Sequence, residues 1–212
     1  MREDELVIYR TNRNNGFRVD YDYYYRQSRV NTNWANPVAD ISNKINFLNQ
    51  FRCRIPYAIA DDLQPVLEEV SPLFNEVQGI EIQDLNEREA IYPVFREIFD
   101  RLRGSVTRFA ETATSKFMHM TLPNLFSMAD SVIGGYMQRN NIINHYFVVS
   151  DDYISLLRYY STEINKLVED IMENHGLNDR LEAINRIREK DPYAEGSIPR
   201  IIDKHFYWLG TH

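Results

Sequence analysis

Lys116, His119 and Asp130 are the residues of this 212-residue chain whose types and spacing could do chemistry. Side chains three apart on a helix share a face, so Lys116 and His119 would point the same way. Asp130 follows Pro123 by seven residues, one to two turns into a second helix. If the two helices pack antiparallel, an amine, an imidazole and a carboxylate converge near the turn, the equipment of nucleophilic and general-base catalysis. The structural alternative has Asp130 accepting backbone N–H groups or pairing with Lys116, fixing the angle of the hairpin. Cys53, the single cysteine, stands between Arg52 and Arg54, whose charges would lower a thiol pKa. A small, half-buried residue at a helix end is the plainer reading of that cysteine.

Several chemistries have no residues to carry them. No Gly-rich phosphate loop, dinucleotide fingerprint, zinc-protease helix or serine nucleophile elbow is present. The five histidines show no two-ligand spacing on one helix face. No cofactor and no metal is expected.

The elements that must position these residues are mainly helical. From Asn36, a candidate N-cap followed by Pro37, the apolar residues Val38, Ile41, Ile45 and Leu48 recur at helical period. A second helix is expected over 58–70, broken by Pro65 and stopped near Pro72. Asp84 and Glu87 resemble a capping box. Ile91, Phe95, Ile98, Phe99 and Leu102 form a stripe in which Pro93 is a kink or the true start, and Gly104 ends it. The segments 105–120 and 124–138 read as a helical hairpin burying Phe109, Phe117, Leu125, Phe126 and Ile133. Residues 142–149 are a strand-like connector or more helix. The clearest helix is expected to be capped by Ser150, with Asp151 and Asp152 in its first turn; it presents Tyr153, Leu156, Leu157, Tyr160, Ile164, Leu167 and Ile171, and closes at Gly176. Helices bearing Leu181 to Ile187 and Ile198 to Leu209 follow, the last opened by Ser197. The fold class is therefore mainly α, seven to eight helices over 36–212, with an arm at 1–35. In that arm Asn14-Asn15-Gly16 separates Leu6-Val7-Ile8-Tyr9 from the period-two series Phe17, Val19, Tyr21, Tyr23 and Tyr25. This predicts a β-hairpin; the rival is an extended arm entering a short helix at 23–29.

Charge narrows the partner. The chain carries 24 Lys and Arg against 31 Asp and Glu, net −7, which repels phosphate on average. Residues 101–149 are the exception, with five basic groups (Arg101, Arg103, Arg108, Lys116, Arg139) against Glu111 and Asp130, net +3. Arg101, Arg103, Arg108 and Arg139, with Lys116, are the candidate DNA contacts. In the arm, tyrosines interleaved with Arg18, Arg26 and Arg29 could stack on bases. No apolar run reaches the ~18 residues of a spanning helix, and the start lacks the pattern of a secretory signal, so no membrane partner is expected and a cytoplasmic location is.

The run Ser115, Lys116, His119, Pro123, Phe126 and Asp130 resembles a motif of a group of uncharacterised prokaryotic helical proteins. Phe51-Arg52-Cys53-Arg54-Ile55 and Ile202-Asp203-Lys204-His205-Phe206-Tyr207-Trp208 look like further parts of the same pattern. More distantly, the segment is similar to the helix-hairpin-helix DNA glycosylase superfamily, where a helix meets a Pro-containing connection and an Asp opens or lies just inside the next helix. That resemblance covers about forty residues and makes Asp130 the counterpart of the catalytic Asp. The Gly-x-Gly phosphate-binding turn of the superfamily is missing before Ala113, Gly104 being the nearest glycine. Glu111 is closest to the slot of its lysine, and Lys116 lies beyond. The resemblance implies a DNA-directed protein, with or without catalysis. The alternative is a non-enzymatic protein-interaction factor, such as an accessory or host–virus conflict protein, working through its arm or its acidic surface.

Overall fold

The computed structural model describes residues 1–10, 14, 20–145 and 149–212. Its α-helices, in chain order, are α1 (Tyr21–Asn31), α2 (Ile41–Gln50), α3 (Ala60–Glu76), α4 (Tyr92–Leu102), α5 (Glu111–Thr121), α6 (Ser131–Arg139), α7 (Ser150–His175), α8 (Arg180–Glu189) and α9 (Ile198–Thr211). Short 3₁₀ turns link several of them, and there is no strand among the described residues. No helix is long and apolar enough to cross a membrane.

Among the described residues the expected β-hairpin is not formed. Its turn residues Asn15 and Gly16, and 17–19 of its second run, lie outside the described residues. Tyr21, Tyr23 and Tyr25 stand on α1, which the Asp20 carboxylate caps by accepting the Tyr23 N–H at 2.9 Å. Helical period wins because Asp22, Tyr25 and Ser28 are the buried positions. Residues 6–9 pair with no strand, and the Val7 N–H is taken by the His205 ring at 3.2 Å.

Helix starts moved wherever a polar side chain captured the backbone. Asn36 caps a turn, its Oδ1 accepting from Val38 N, while the Lys44 ammonium bonds the carbonyls of Asn36 and Pro37 at 2.6 and 2.9 Å. The helix therefore begins at Ile41. Asp84 and Glu87 lie inside a 3₁₀ turn, Ile82–Glu87, and form no capping box. α3 runs through both Pro65 and Pro72, which face solvent while Leu63, Leu67, Val70 and Phe74 are buried; packing of that stripe outweighs two lost backbone bonds. Pro93 stands in the first turn of α4, where it costs nothing.

Residues 103–110 are a loop rather than the start of α5, because Gly104 and Arg108 have left-handed backbones (φ 72° and 67°) and the Gly104 N–H bonds the Phe109 carbonyl. α5 then runs through the centre of the molecule, buried from Ala113 to Thr121. Phe117 and Phe126 meet Phe74, Phe95 and Phe109 in edge-on and tilted ring contacts around it. Phe109, Phe117, Leu125, Phe126 and Ile133 are all buried. α7 packs against α4, α8 and the 3₁₀ turn at Ile82–Glu87, and α6 against α9.

Candidate functional site

The segment 122–130 decides where the site lies. Leu125 and Phe126 bond back to the Leu122 carbonyl, making one turn. Three buried side chains then hold the chain extended. The His119 Nδ1–H donates to the Phe126 carbonyl at 2.7 Å, the Asp203 Oδ2 accepts the Met128 N–H at 2.8 Å, and the Ser115 Oγ accepts the Ala129 N–H at 3.0 Å. With two N–H groups captured from outside, α6 cannot begin at Asn124. It begins at Ser131, and Asp130 is its N-cap, Oδ1 accepting from Val132 N (2.9 Å) and Ile133 N (3.1 Å).

Asp130 and Lys116 thereby face one cavity of about 420 Å³, between α5, α9, the start of α6, the tip of α1 and the loop after α2. Tyr21, Phe51 and Tyr207 supply aromatic wall. α5 starts at this wall without a side-chain cap, Ala110, Thr112 and Ala113 lining it. Lys116 is 5 % exposed. Its Nζ lies 5.2 Å from the centre of the Phe51 ring and makes no hydrogen bond or ion pair among the described residues. No ion pair joins it to Asp130. The buried Lys44 offers a contrast, since carbonyls saturate its ammonium and burial lowers its pKa to about 8.

His119 is not in the cavity. Fully buried, it receives the Tyr25 hydroxyl on Nε2 at 3.0 Å and holds Phe126 with Nδ1. Burial pushes its pKa down to about 3, so it stays neutral. The Cys53 thiol lines the cavity, but burial raises its pKa; Lys116 opposes the rise and Asp130 adds to it. The plainer reading of Cys53 as a half-buried residue at a helix end is the one that fits, since burial raises the thiol pKa and the flanking arginines do not lower it.

The cations divide into paired and unpaired. Arg101 bonds Glu97 at 2.7 Å and Glu69 at 3.4 Å, and Arg103 bonds Glu111 at 2.7 Å. Arg139 is exposed at the end of α6 and does not line the cavity. Arg108 does line it, together with Arg52, and the Arg108 Nη1 reaches the Arg54 carbonyl at 3.3 Å. Arg52, Arg54 and Arg108 are exposed, have no carboxylate partner among the described residues, and all adopt left-handed backbones (φ 63°, 56° and 67°). Such strain gathers at functional sites. On the floor, Lys204 is neutralised between Asp22 (2.7 Å) and Asp191 (2.5 Å), and Arg200 lies 3.6 Å from Asp22.

The structure thus brings together Lys116, Asp130 and Arg108 of the residues singled out from sequence, and leaves His119, Arg101, Arg103 and Arg139 elsewhere. It adds Arg52, Arg200, Asp203 and Lys204, with Arg54 beside Arg108. Arg200, Asp203 and Lys204 had a signal: charged residues at i, i+3 and i+4 on an otherwise apolar helix. Among the described residues no cluster of His, Cys, Asp or Glu could hold a metal ion. No family model, curated protein or solved structure matches the chain.

Proposed function

We propose that the protein binds nucleic acid and draws one nucleotide of the strand into this cavity. The observation that carries the reading is the basic rim of an aromatic-walled cavity: Arg52 and Arg108 line it and Arg54 adjoins Arg108, all three exposed and with no carboxylate partner among the described residues. Unneutralised guanidinium groups at one rim suit the phosphates on either side of an extruded nucleotide. Aromatic walls suit its ring, and about 420 Å³ falls in the size range of small-ligand cavities. Lys116 offers a cation, or an amine nucleophile once deprotonated, and Asp130 a carboxylate whose Oδ1 is committed to the α6 cap. His119 serves in this reading by holding the 126–129 segment. Neutralised by glutamates, Arg101 and Arg103 are not part of the footprint, and neither is Arg139.

Fluorescence anisotropy with a labelled single strand, and with a duplex carrying one unpaired nucleotide, tests this. Three or four phosphate contacts give a log–log salt slope of roughly −2 to −3 on the single strand and −3 to −4 on the duplex. Replacing Arg52, Arg54 and Arg108 together by Gln should weaken binding and flatten the slope, whereas an Arg101/Arg103→Gln variant should match the wild type. Absence of binding at low salt overturns the reading. That result would favour the protein-interaction alternative, for which Tyr23, Val30 and Tyr57 offer exposed apolar contact.

A further inference from the structure

Lys116 is a buried cation, 5 % exposed, with no counter-charge and no hydrogen bond among the described residues. A charge taken out of water is costly unless it is paired, so this ammonium calls for a partner. Its Nζ is open to the cavity, unlike the Asp203 Oδ1 and the Arg200 Nε, which are sealed from solvent. Lys116 stands in the second turn of α5, and helical side chains lean back over the turn before their own Cα. That turn brings Thr112 and Ala113, four and three residues earlier, to the same face, and both line the cavity. The N–H groups of Glu111, Thr112 and Ala113 precede the first backbone bond of α5, from Thr114 to the Ala110 carbonyl at 2.9 Å. Ala110, at the cap position, has no side chain to accept from them. Such N–H groups, at the positive end of the helix dipole, favour an anion. One unpartnered ammonium and one uncapped helix end therefore share a wall. The carboxylates around it are committed: the Asp130 Oδ1 caps α6, and Glu111 holds Arg103 at 2.7 Å. Arg52 and Arg108 are exposed at the rim, so the seat at Lys116 lies beneath them. A phosphate within a strand has chain leaving on both sides and stays at the rim. A phosphate at the end of a strand has chain on one side only and can enter.

We propose that Lys116 and the N-terminus of α5 seat a terminal phosphate monoester, so that the nucleotide drawn into the cavity is the phosphorylated last one of its strand. A monoester carries up to about twice the charge of a diester near neutral pH, which an ammonium beside a helix end rewards. This rests on the nucleic-acid reading above and adds a substrate class to it.

The test is fluorescence anisotropy on one strand sequence, labelled internally and ending in a 5′-phosphate, a 3′-phosphate or hydroxyls alone. Wild type should prefer a phosphorylated end, 5′ or 3′, to the hydroxyl ends by on the order of tenfold, the worth of a charge-assisted hydrogen bond. Lys116→Met should bind all three strands alike. Replacing Arg52, Arg54 and Arg108 together by Gln should weaken all three and keep the preference, which is set below the rim. Should the methionine variant fail to fold, the ³¹P resonance of the preferred strand answers with the native chain. The second pKa of its terminal phosphate, about 6 in solution, should fall on binding, because a cation and a helix end favour the dianion. Equal affinity for phosphate and hydroxyl ends, a preference that survives Lys116→Met or disappears with the three arginines, or an unshifted phosphate pKa overturns the inference while the strand still binds. If no strand binds at low salt, the nucleic-acid reading falls and this inference falls with it.

Discussion

His119, His205 and Asp203 are buried residues whose protonation opposes one another across the pH scale. Burial lowers the pKa of His119 to about 3 and that of His205 to about 4. Between those values and the ordinary 6.5 the unfolded chain binds more protons than the folded one, so stability rises with pH. Their contribution is full above about pH 6.5 and is lost as pH falls. Asp203 works the other way. Burial raises its pKa to about 8, so the folded chain holds the extra proton, and its contribution is full below about pH 4 and is lost as pH rises through 8. Two histidines outweigh one aspartate on the acid side, and Asp203 acts alone of these three between about pH 6.5 and 8. The wild-type unfolding free energy should therefore fall over that interval, at a limiting slope of about 1.4 kcal/mol per pH unit, and the melting temperature should fall with it. Asp203→Asn should remove the fall. Parallel wild-type and variant curves from pH 6.5 to 8 would show that Asp203 is ionised in the folded protein.

α6 and α9 close one side of the cavity, and their contact depends on an absent side chain. A Cβ at Gly210 would lie 2.7 Å from the Val132 Cγ1 and 2.8 Å from its carbonyl oxygen. Val132 belongs to the first turn of α6, whose N–H groups Asp130 caps and whose backbone cannot retreat without disturbing that cap. Gly210→Ala should cost about 1–3 kcal/mol despite alanine's better helix propensity, and a denaturant melt that shifts upward instead would show that the helices separate freely. Gly210 carried no sign of this in the sequence, since close approach between distant elements leaves no local trace. What was legible is what repeats along the chain: the stripes of α4, α7 and α9, the glycine at the end of α7, the serine cap of α9. The boundaries at 41 and 131 were hidden because Lys44, and Ser115 with Asp203, take over backbone groups that a local reading assigns to helices, and the one at 111 because the backbone turns left-handed at Gly104 and Arg108. The same cause blurred the site. Lys116 and Asp130 could be paired from spacing, but the extended 126–129 segment, which turns them toward one cavity, is set by an α9 residue 75 positions away from Met128. Asp130, a half-exposed N-cap without an ion pair, can be replaced by Asn, an equally good cap, with little loss of stability.

A chain of net charge −7 repels a polyanion over most of its surface, so any strand it holds must be held at one focus. Where the loops 51–56 and 103–110 meet, Arg52, Arg54 and Arg108 stand without a carboxylate partner among the described residues, and Arg52 and Arg108 line the cavity there. Two quantities follow for the whole protein. Binding of a short oligonucleotide should saturate at one per chain, because the cavity takes in one nucleotide of one strand. Saturation should also stabilise the fold: ligand at about 100 times its Kd adds about 2.7 kcal/mol, which for a chain of this length raises the melting temperature by roughly 5–10 °C. Amide exchange should slow first in the two loops that carry Arg52, Arg54 and Arg108, and at the first turns of α5 and α6, while α3 and α8 stay unchanged. Thermal shift and hydrogen exchange on the same complex check both statements. Protection spread evenly over the surface, or a stoichiometry of two or more, would mean that the strand is held by diffuse charge, and the focus at the cavity mouth would lose its role.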